Sequence, residues 1–458
     1  MLKRTVRRIN RQIQLLRYDL GSKLNTALGR RTPTTIESLP QELFEEIIDL
    51  VQDDKATLRA SSLVCRAWRP HSQRRLLSTL CLGPPKNSRD PIPPFLASLA
   101  SNPQLCTLVH ELVLKGDRGE PELHVSARWL AAILEKLPNV KTVRLLSINM
   151  TGLDRHFLPP TRFRLEFLEL FETSSSWDAT VENILDILAL FDSIGRLVVG
   201  YTFMRGGRER VPPDSYLSRH ESKMPGHLSI RSFAAHGTPD GLALWIGLLR
   251  RMKLEPFVNL TLSSTPHCSF PGLKQLLQAT GAGLRRLEIT VASTNSINMP
   301  EAVPWDALGF AYCARLEELI IHTWTPVLSA YGPSWRQLCV LLDTLRESSS
   351  LRHLTIGYKI KQPSADAAID WSMFKEVLRK FDRLEEVTLV DPTESSQGLG
   401  TTQEDARLCL ASLEPSIRVY VSQSFPPSSD HCRYSFLVDV LSRIRMDIIN
   451  RSTIAAFR

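Results

Sequence analysis

The sequence predicts an α/β solenoid. A small N-terminal unit of three helices precedes an irregular array of strand-plus-helix repeats, with a curved parallel sheet and helices on its convex side. Three observations predict it. A short apolar motif, L-x-x-L-x-L in outline, recurs ten times in register. Most copies follow a segment with helical periodicity. Residues 36–82, ahead of the array, carry helix-start signals of a different kind.

The copies of the motif are VHELVL (109–114), VKTVRL (140–145), LEFLEL (165–170), IGRLVV (194–199) and IRSFAA (230–235). FVNLTL (257–262), LRRLEI (284–289), LEELII (316–321), LRHLTI (351–356) and LEEVTL (384–389) follow. Their fourth residues are separated by 25–36 positions. The helical segments before them include WLAAILEKLPN, VENILDILALF, GLKQLLQATG, WRQLCVLLDTLRES and WSMFKEVLRKF. Six of the eight tryptophans, at 129, 177, 245, 305, 335 and 371, fall where such a helix would start, and core packing accounts for them. Beyond 390 the pattern fades. SIRVYVSQS suggests one more strand, and YSFLVDVLSRIRMDII a terminal helix that caps the array.

Residues 36–82 read as three short helices. Pro40 sits in a first turn, Glu42, Glu45 and Glu46 suit the positive end of the helix dipole, and Leu43, Ile47 and Leu50 share one face. Asp53 and Asp54 suit capping of the next helix, and the third contains Trp68. About 45 residues build too little core to stand alone, so this unit needs a partner or the array behind it. Five prolines within 81–96 mark a boundary. The division is therefore 1–35, a basic amphipathic helix and linker; 36–82, the helical unit; 83–100, a proline-rich connection; 101–425, the array; and 426–458, a C-terminal helix or cap.

Charge is unevenly placed. Residues 1–31 hold nine of the 56 basic residues and one of the 48 acidic ones, leaving 47 of each in the rest. The net charge of +8 thus belongs to the N-terminal segment, whereas a nucleic-acid-binding domain would spread it over a folded surface. Three readings fit that segment: a helix docked on the body, a basic membrane- or partner-binding helix, and a mitochondrial presequence. No apolar run reaches the roughly 18 residues of a membrane span. The eight cysteines form no C-x-x-C pair and several lie in apolar segments, which suits reduced thiols in the cytoplasm or nucleus.

Residues 36–82 resemble an F-box. The resemblance rests on LPQEL (39–43), EIIDLV after it, acids at 53–54, LVCRAWR (63–69) and RRLLSTLCL (74–82). The whole chain resembles F-box proteins with leucine-rich repeats, of a type abundant in mushroom-forming fungi. The likeness is close over the F-box and architectural over the repeats. It implies a substrate-recognition subunit of an SCF-type ubiquitin ligase. The F-box docks on the small adaptor subunit, and through it a cullin, while the repeats recruit a protein target. By that resemblance Leu39, Pro40, Leu43, Ile47, Leu63, Val64, Cys65 and Trp68 form the adaptor-binding surface, some of them serving the F-box's own core. The alternative is a leucine-rich-repeat interaction scaffold with no ubiquitin-ligase role.

The repeats depart from the leucine-rich consensus. Asp117, Ile148, Thr173, Thr202 and Thr265 stand where Asn or Cys is expected, so an irregular array with inserted loops follows, the largest at 200–227. Strand side chains alternate in direction. If Leu287 and Ile289 point inward, Arg286 and Glu288 face the concave side. So do Phe167, Glu169 and Phe171; Glu318, His322 and Trp324; and His353. These are the candidate substrate-binding residues, with the exposed aromatics as hot spots. Catalysis is not expected. SMFK (372–375) matches S-x-x-K without its companion elements, and there is no phosphate-binding glycine loop or zinc-ligand spacing. No cofactor, metal or nucleic-acid partner is implied.

Overall fold

A computed structural model describes residues 41–51, 54–64, 66, 68–83, 91–116, 123–151, 162–171, 174–200, 203–205, 217–236, 239–252, 254–265, 270–292, 308–324, 335–345, 350–358, 371–390 and 417–422. The expected helices at 1–31 and 426–458 lie outside the described residues. The chain divides into two compact units, 1–78 and 79–458.

The first unit contains α1 (Gln41–Leu50), α2 (Lys55–Val64) and α3 (Trp68–Ser78). Asp54 caps α2: its carboxylate accepts from the Ala56 and Thr57 amides at 3.0 and 3.1 Å and from the Thr57 hydroxyl at 2.7 Å. The Thr57 hydroxyl, more than the amides, holds the Asp54 carboxyl below its ordinary pKa. Ile48, Leu58 and Trp68 form the core, with Ile47, Val51 and Leu76 packed on it. Arg75 Nε donates to Asp49 Oδ1 at 2.7 Å and ties α3 to α1.

The second unit is an α/β fold. Its strands among the described residues are β1 (Thr79–Leu82), β2 (Glu111–Lys115), β3 (His124–Ser126), β4 (Thr142–Leu146), β5 (Asn149–Thr151), β6 (Phe163–Phe171), β7 (Ser174–Ser176) and β8 (Phe191–Gly200). Then come β9 (Phe203–Arg205), β10 (Ser229–His236), β11 (Asn259–Thr265), β12 (Arg286–Ala292), β13 (Glu318–Trp324), β14 (His353–Tyr358), β15 (Glu386–Val390) and β16 (Arg418–Ser422). The helices are α4 (Ile92–Ser101), α5 (Pro103–Cys106), α6 (Ala127–Lys136), α7 (Trp177–Leu188), α8 (Pro239–Arg251), α9 (Phe270–Thr280), α10 (Trp335–Thr344) and α11 (Trp371–Leu378).

Twelve strands form one parallel sheet in chain order, β1-β2-β4-β6-β8-β10-β11-β12-β13-β14-β15-β16. It is not closed into a barrel: β1 and β16 are its edges. The short strands form a second parallel sheet, β3-β5-β7-β9. A parallel neighbour requires a crossover, and helices fill most of these crossovers.

The register of the large sheet is the register of the sequence motif. Leu80, Leu112, Val143, Leu168, Leu197 and Phe233 pair in succession across the strands. Leu260, Leu287, Leu319, Leu354, Val387 and Val419 continue the same ladder. Every member between Leu112 and Val387 is buried in one core shared with helix residues such as Leu130, Ile133, Leu276 and Leu342. The residues two positions on, among them Leu114, Leu145, Ile289 and Ile356, join it. Burying ten large side chains in one such row, at roughly 1.5–3 kcal/mol each, explains why the motif tolerates uneven spacing between repeats but not a slip within a strand.

Three placements differ from the sequence reading. Residues 79–82, read as the end of the helical unit, form β1, because Leu80 and Leu82 pack against the sheet's core beside β2. The stretch 83–100, read as a connection, contains most of α4, whose Ile92 and Leu99 are buried in that core. The insertion at 200–227 is not wholly a loop: it contributes β9 to the second sheet, and Leu217 is buried. Trp129, Trp177, Trp335 and Trp371 do lie at helix starts; Trp245 is buried in the middle of α8, and Trp305 lies outside the described residues.

Candidate functional site

Two surfaces carry the sequence-predicted site residues, one in each unit. In the helical unit the structure sorts the apolar set. Trp68 is a core residue rather than a surface one: it sits at the start of α3 against Ile48 and Leu58 and is 8% exposed. Ile47 is half-buried against the same core, and Leu43 is half-buried. Leu63 points the other way. It stands near the end of α2 with 86% of its surface exposed, and Leu50, at the end of α1, is 65% exposed. Leu39, Pro40 and Cys65 lie outside the described residues, as does the side chain of Val64. One feature went unread in the sequence: Ser72 Oγ, one turn after Trp68, is buried with no hydrogen-bond partner among the described residues.

The second surface is the face of the large sheet turned away from the ladder core. Parallel sheets usually have both faces covered and read as unbroken apolar runs. Here burial alternates residue by residue along β2 and β4, whereas from β6 to β15 Glu169, Val198, Ala234, Glu288, Ile320, Thr355 and Thr388 on the second face are buried as well. Two in-register rows define the second face. One runs Thr142, Phe167, Arg196, Ser232, Asn259, Arg286, Glu318, His353. The other runs Arg144, Glu169, Val198, Ala234, Thr261, Glu288, Ile320, Thr355.

Side-chain size shapes this face. Val198, Ala234 and Thr261 are small, and longer charged side chains stand on either side. The result is a groove of about 300 Å³ across β4 to β12, lined among others by Arg144, Phe167, Arg196, Asn259 and Arg286. At one end Arg144 bridges two carboxylates, Glu111 at 2.8 Å and Glu169 at 3.5 Å, and its guanidinium lies 5.5 Å from the centre of the Phe167 ring. At the other end Arg286 bridges Glu288 at 3.5 Å and Glu318 at 3.3 Å, and His322 Nε2 is 3.4 Å from Glu288 Oε1. Between them Asn259 Nδ2 donates to Ser232 Oγ at 2.9 Å.

Several predicted residues are not the exposed hot spots expected of them. Glu169 and Glu288 are each 3% exposed, because each lies in the floor row with an arginine over it. His322 is buried beside Glu288. Phe171 is half-buried, its ring lying across Gly200, where a Cβ would come within 2.4 Å of it. Phe167, Arg286, Glu318 and His353 are half-buried on the face. Trp324 ends β13, and its side chain lies outside the described residues. Burial pushes the Glu169 carboxyl above its ordinary pKa; Arg144 opposes that shift, Glu111 adds to it, and Arg196 opposes it.

The sequence reading missed Arg144, at one end of the groove, and Arg196, Ser232, Asn259 and Thr261, which make its middle. The same alternation rule, applied to every copy of the motif rather than to five of them, assigns all of these residues.

Among the described residues no group of three or more His, Cys, Asp or Glu is placed to hold a metal ion, and no helix is long and apolar enough to cross a membrane. Burial pushes the Cys313 thiol up to about 12, far from a reactive thiolate. Comparison with protein-family models gives no match, and comparison with curated proteins gives none either.

Proposed function

We propose that the chain is the substrate-recognition subunit of an SCF-type ubiquitin ligase, built as an F-box followed by an irregular leucine-rich-repeat solenoid. The helical unit docks on the adaptor, and the second face of the sheet recruits the protein to be ubiquitylated. The observation that carries this reading is the single ladder from Leu80 to Val419, laid down in chain order. A sheet of that kind presents a long row of side chains from successive repeats, which suits binding a protein segment. The helical unit supports the other half. Its core is small and Leu63 and Leu50 are left exposed, as on a surface awaiting a partner. The work of such a subunit is to raise the local concentration of a target near a separate conjugating enzyme, in the cytoplasm or nucleus.

The test is co-purification of the full chain with the SCF adaptor and cullin. Stoichiometric co-elution is expected, and a Leu39→Ala/Pro40→Ala double variant should lose it while keeping the wild-type circular dichroism spectrum. A wild-type chain that elutes alone would leave a repeat scaffold outside ubiquitylation as the better reading.

A further inference from the structure

We infer that the middle of the groove binds a neutral side chain ending in a primary carboxamide, a glutamine or asparagine of the recruited protein, through Ser232 and Asn259. This deepens the proposed function and rests on its assignment of target recruitment to that face. The charges around the groove disfavour an ionic ligand. Arg144 is held by Glu111 and Glu169, and Arg286 by Glu288 and Glu318, so an incoming anion finds both guanidinium groups engaged. Arg196 also acts on the Glu169 charge. An incoming cation finds no open carboxylate in the lining, because Glu169 and Glu288 are each buried under an arginine. A charged ligand gains a partner there only by breaking an ion pair, which leaves another charge unpaired.

The middle of the groove is different in kind. Its floor row shortens from Glu169 through Val198 to Ala234 and lengthens again through Thr261 to Glu288, so the floor is lowest at Ala234. Beside that low point, Ser232 and Asn259 pair across β10 and β11, and Asn259 Nδ2 donates to Ser232 Oγ at 2.9 Å. Both are half-buried and reachable, and neither side chain forms another hydrogen bond among the described residues. Asn259 keeps its Oδ1 acceptor and Ser232 keeps its hydroxyl proton. The pair thus offers an acceptor and a donor side by side, with no net charge. A primary carboxamide answers both at once: its N–H donates to Asn259 Oδ1, and its carbonyl oxygen accepts from the Ser232 hydroxyl. A backbone peptide group is trans, with N–H and C=O on opposite sides, so it meets only one of the two. A carboxylate brings no donor and an ammonium no acceptor. The carbon stem of the ligand packs on Val198 and Ala234.

The experiment uses the full chain and the end-capped peptide Gly-Val-Gln-Val-Gly, titrated into the millimolar range and read by saturation-transfer NMR at low and physiological salt. Saturable binding with no salt dependence is expected, since no ion pair forms. The same peptide with glutamate, lysine or methionine at its centre should bind at least tenfold more weakly; glutamate keeps the shape and adds charge, and methionine keeps the length without the amide. Ser232→Ala removes the donor and should weaken the glutamine peptide about tenfold. Asn259→Leu removes the acceptor and should abolish saturable binding, with circular dichroism to confirm that both variants fold. No saturable binding by the glutamine peptide, equal binding by any of the other three, or unchanged affinity in both folded variants would overturn the inference. Adaptor co-purification of the wild type is measured alongside. If the adaptor binds and the glutamine peptide does not, this inference alone fails. If the peptide binds and the adaptor does not, the ligase reading fails and the groove assignment stands.

Discussion

Gly116, just past β2, lies directly against the backbone carbonyl of Ser147, just past β4: a Cβ on Gly116 would stand 1.9 Å from that oxygen. Ser147 itself has φ 53°, in the left-handed region that non-glycine residues seldom adopt. The Gly116 amide donates to the Leu146 carbonyl at 2.8 Å, so this turn is packed backbone to backbone with nothing soft to yield. Gly116→Ala should therefore destabilise the sheet by about 3 kcal/mol, near the upper end for overpacking. Chemical denaturation of the full chain measures it.

Gly200→Ala should behave differently. There the obstruction is the Phe171 ring, a side chain that can swing aside. The expected loss is about 1 kcal/mol, at the lower end for overpacking. Phe171 should become more exposed, and a rise in its accessibility to oxidative footprinting checks this.

Leu287→Ala removes a fully buried member of the ladder and should cost about 2–5 kcal/mol, whereas Leu63→Ala should change stability by no more than about 0.5 kcal/mol. Thermal melts of the two variants separate core from surface.

Much of that ladder was legible in the sequence, because a row buried on one side must keep its spacing within the strand whatever happens between strands. The fourth residue of each of the ten motif copies is a ladder residue. Leu80 was legible too: Leu77, Leu80 and Leu82 have the motif spacing and stand 32 residues before Leu112. It was hidden by lying directly after a helical segment. The second sheet was not legible, since a three-residue strand such as Ser174–Ser176 shows no period. The groove was half legible. Alternation gives the direction of Glu169 and Glu288, but their burial depends on Arg144 and Arg286 from other strands or positions, which no local pattern carries. Nor could alternation sort Trp68 from Leu63, because that depends on how three helices meet.

Glu169 gives a pH dependence. Its pKa in the folded protein is raised from 4.5, so between 4.5 and the raised value the folded state holds a proton that the unfolded state has released. Stability from this group is present at low pH and is lost as the pH rises through that window. Glu169→Gln should flatten the decline, seen as a smaller fall in melting temperature from pH 4.5 upward than in the wild type.

In the proposed function two surfaces divide the labour, and binding at the adaptor side is its most direct test. Purified adaptor is titrated into the full chain by calorimetry, for wild type and for Leu63→Asp, with circular dichroism to confirm that the variant folds. Leu63 is exposed and outside the core, so its replacement leaves the unit intact. Burying a leucine at an interface is worth roughly 1.5–3 kcal/mol, so wild type should bind and Leu63→Asp should bind at least tenfold more weakly. A wild-type chain that does not bind, or a folded Leu63→Asp that binds equally well, would contradict the account.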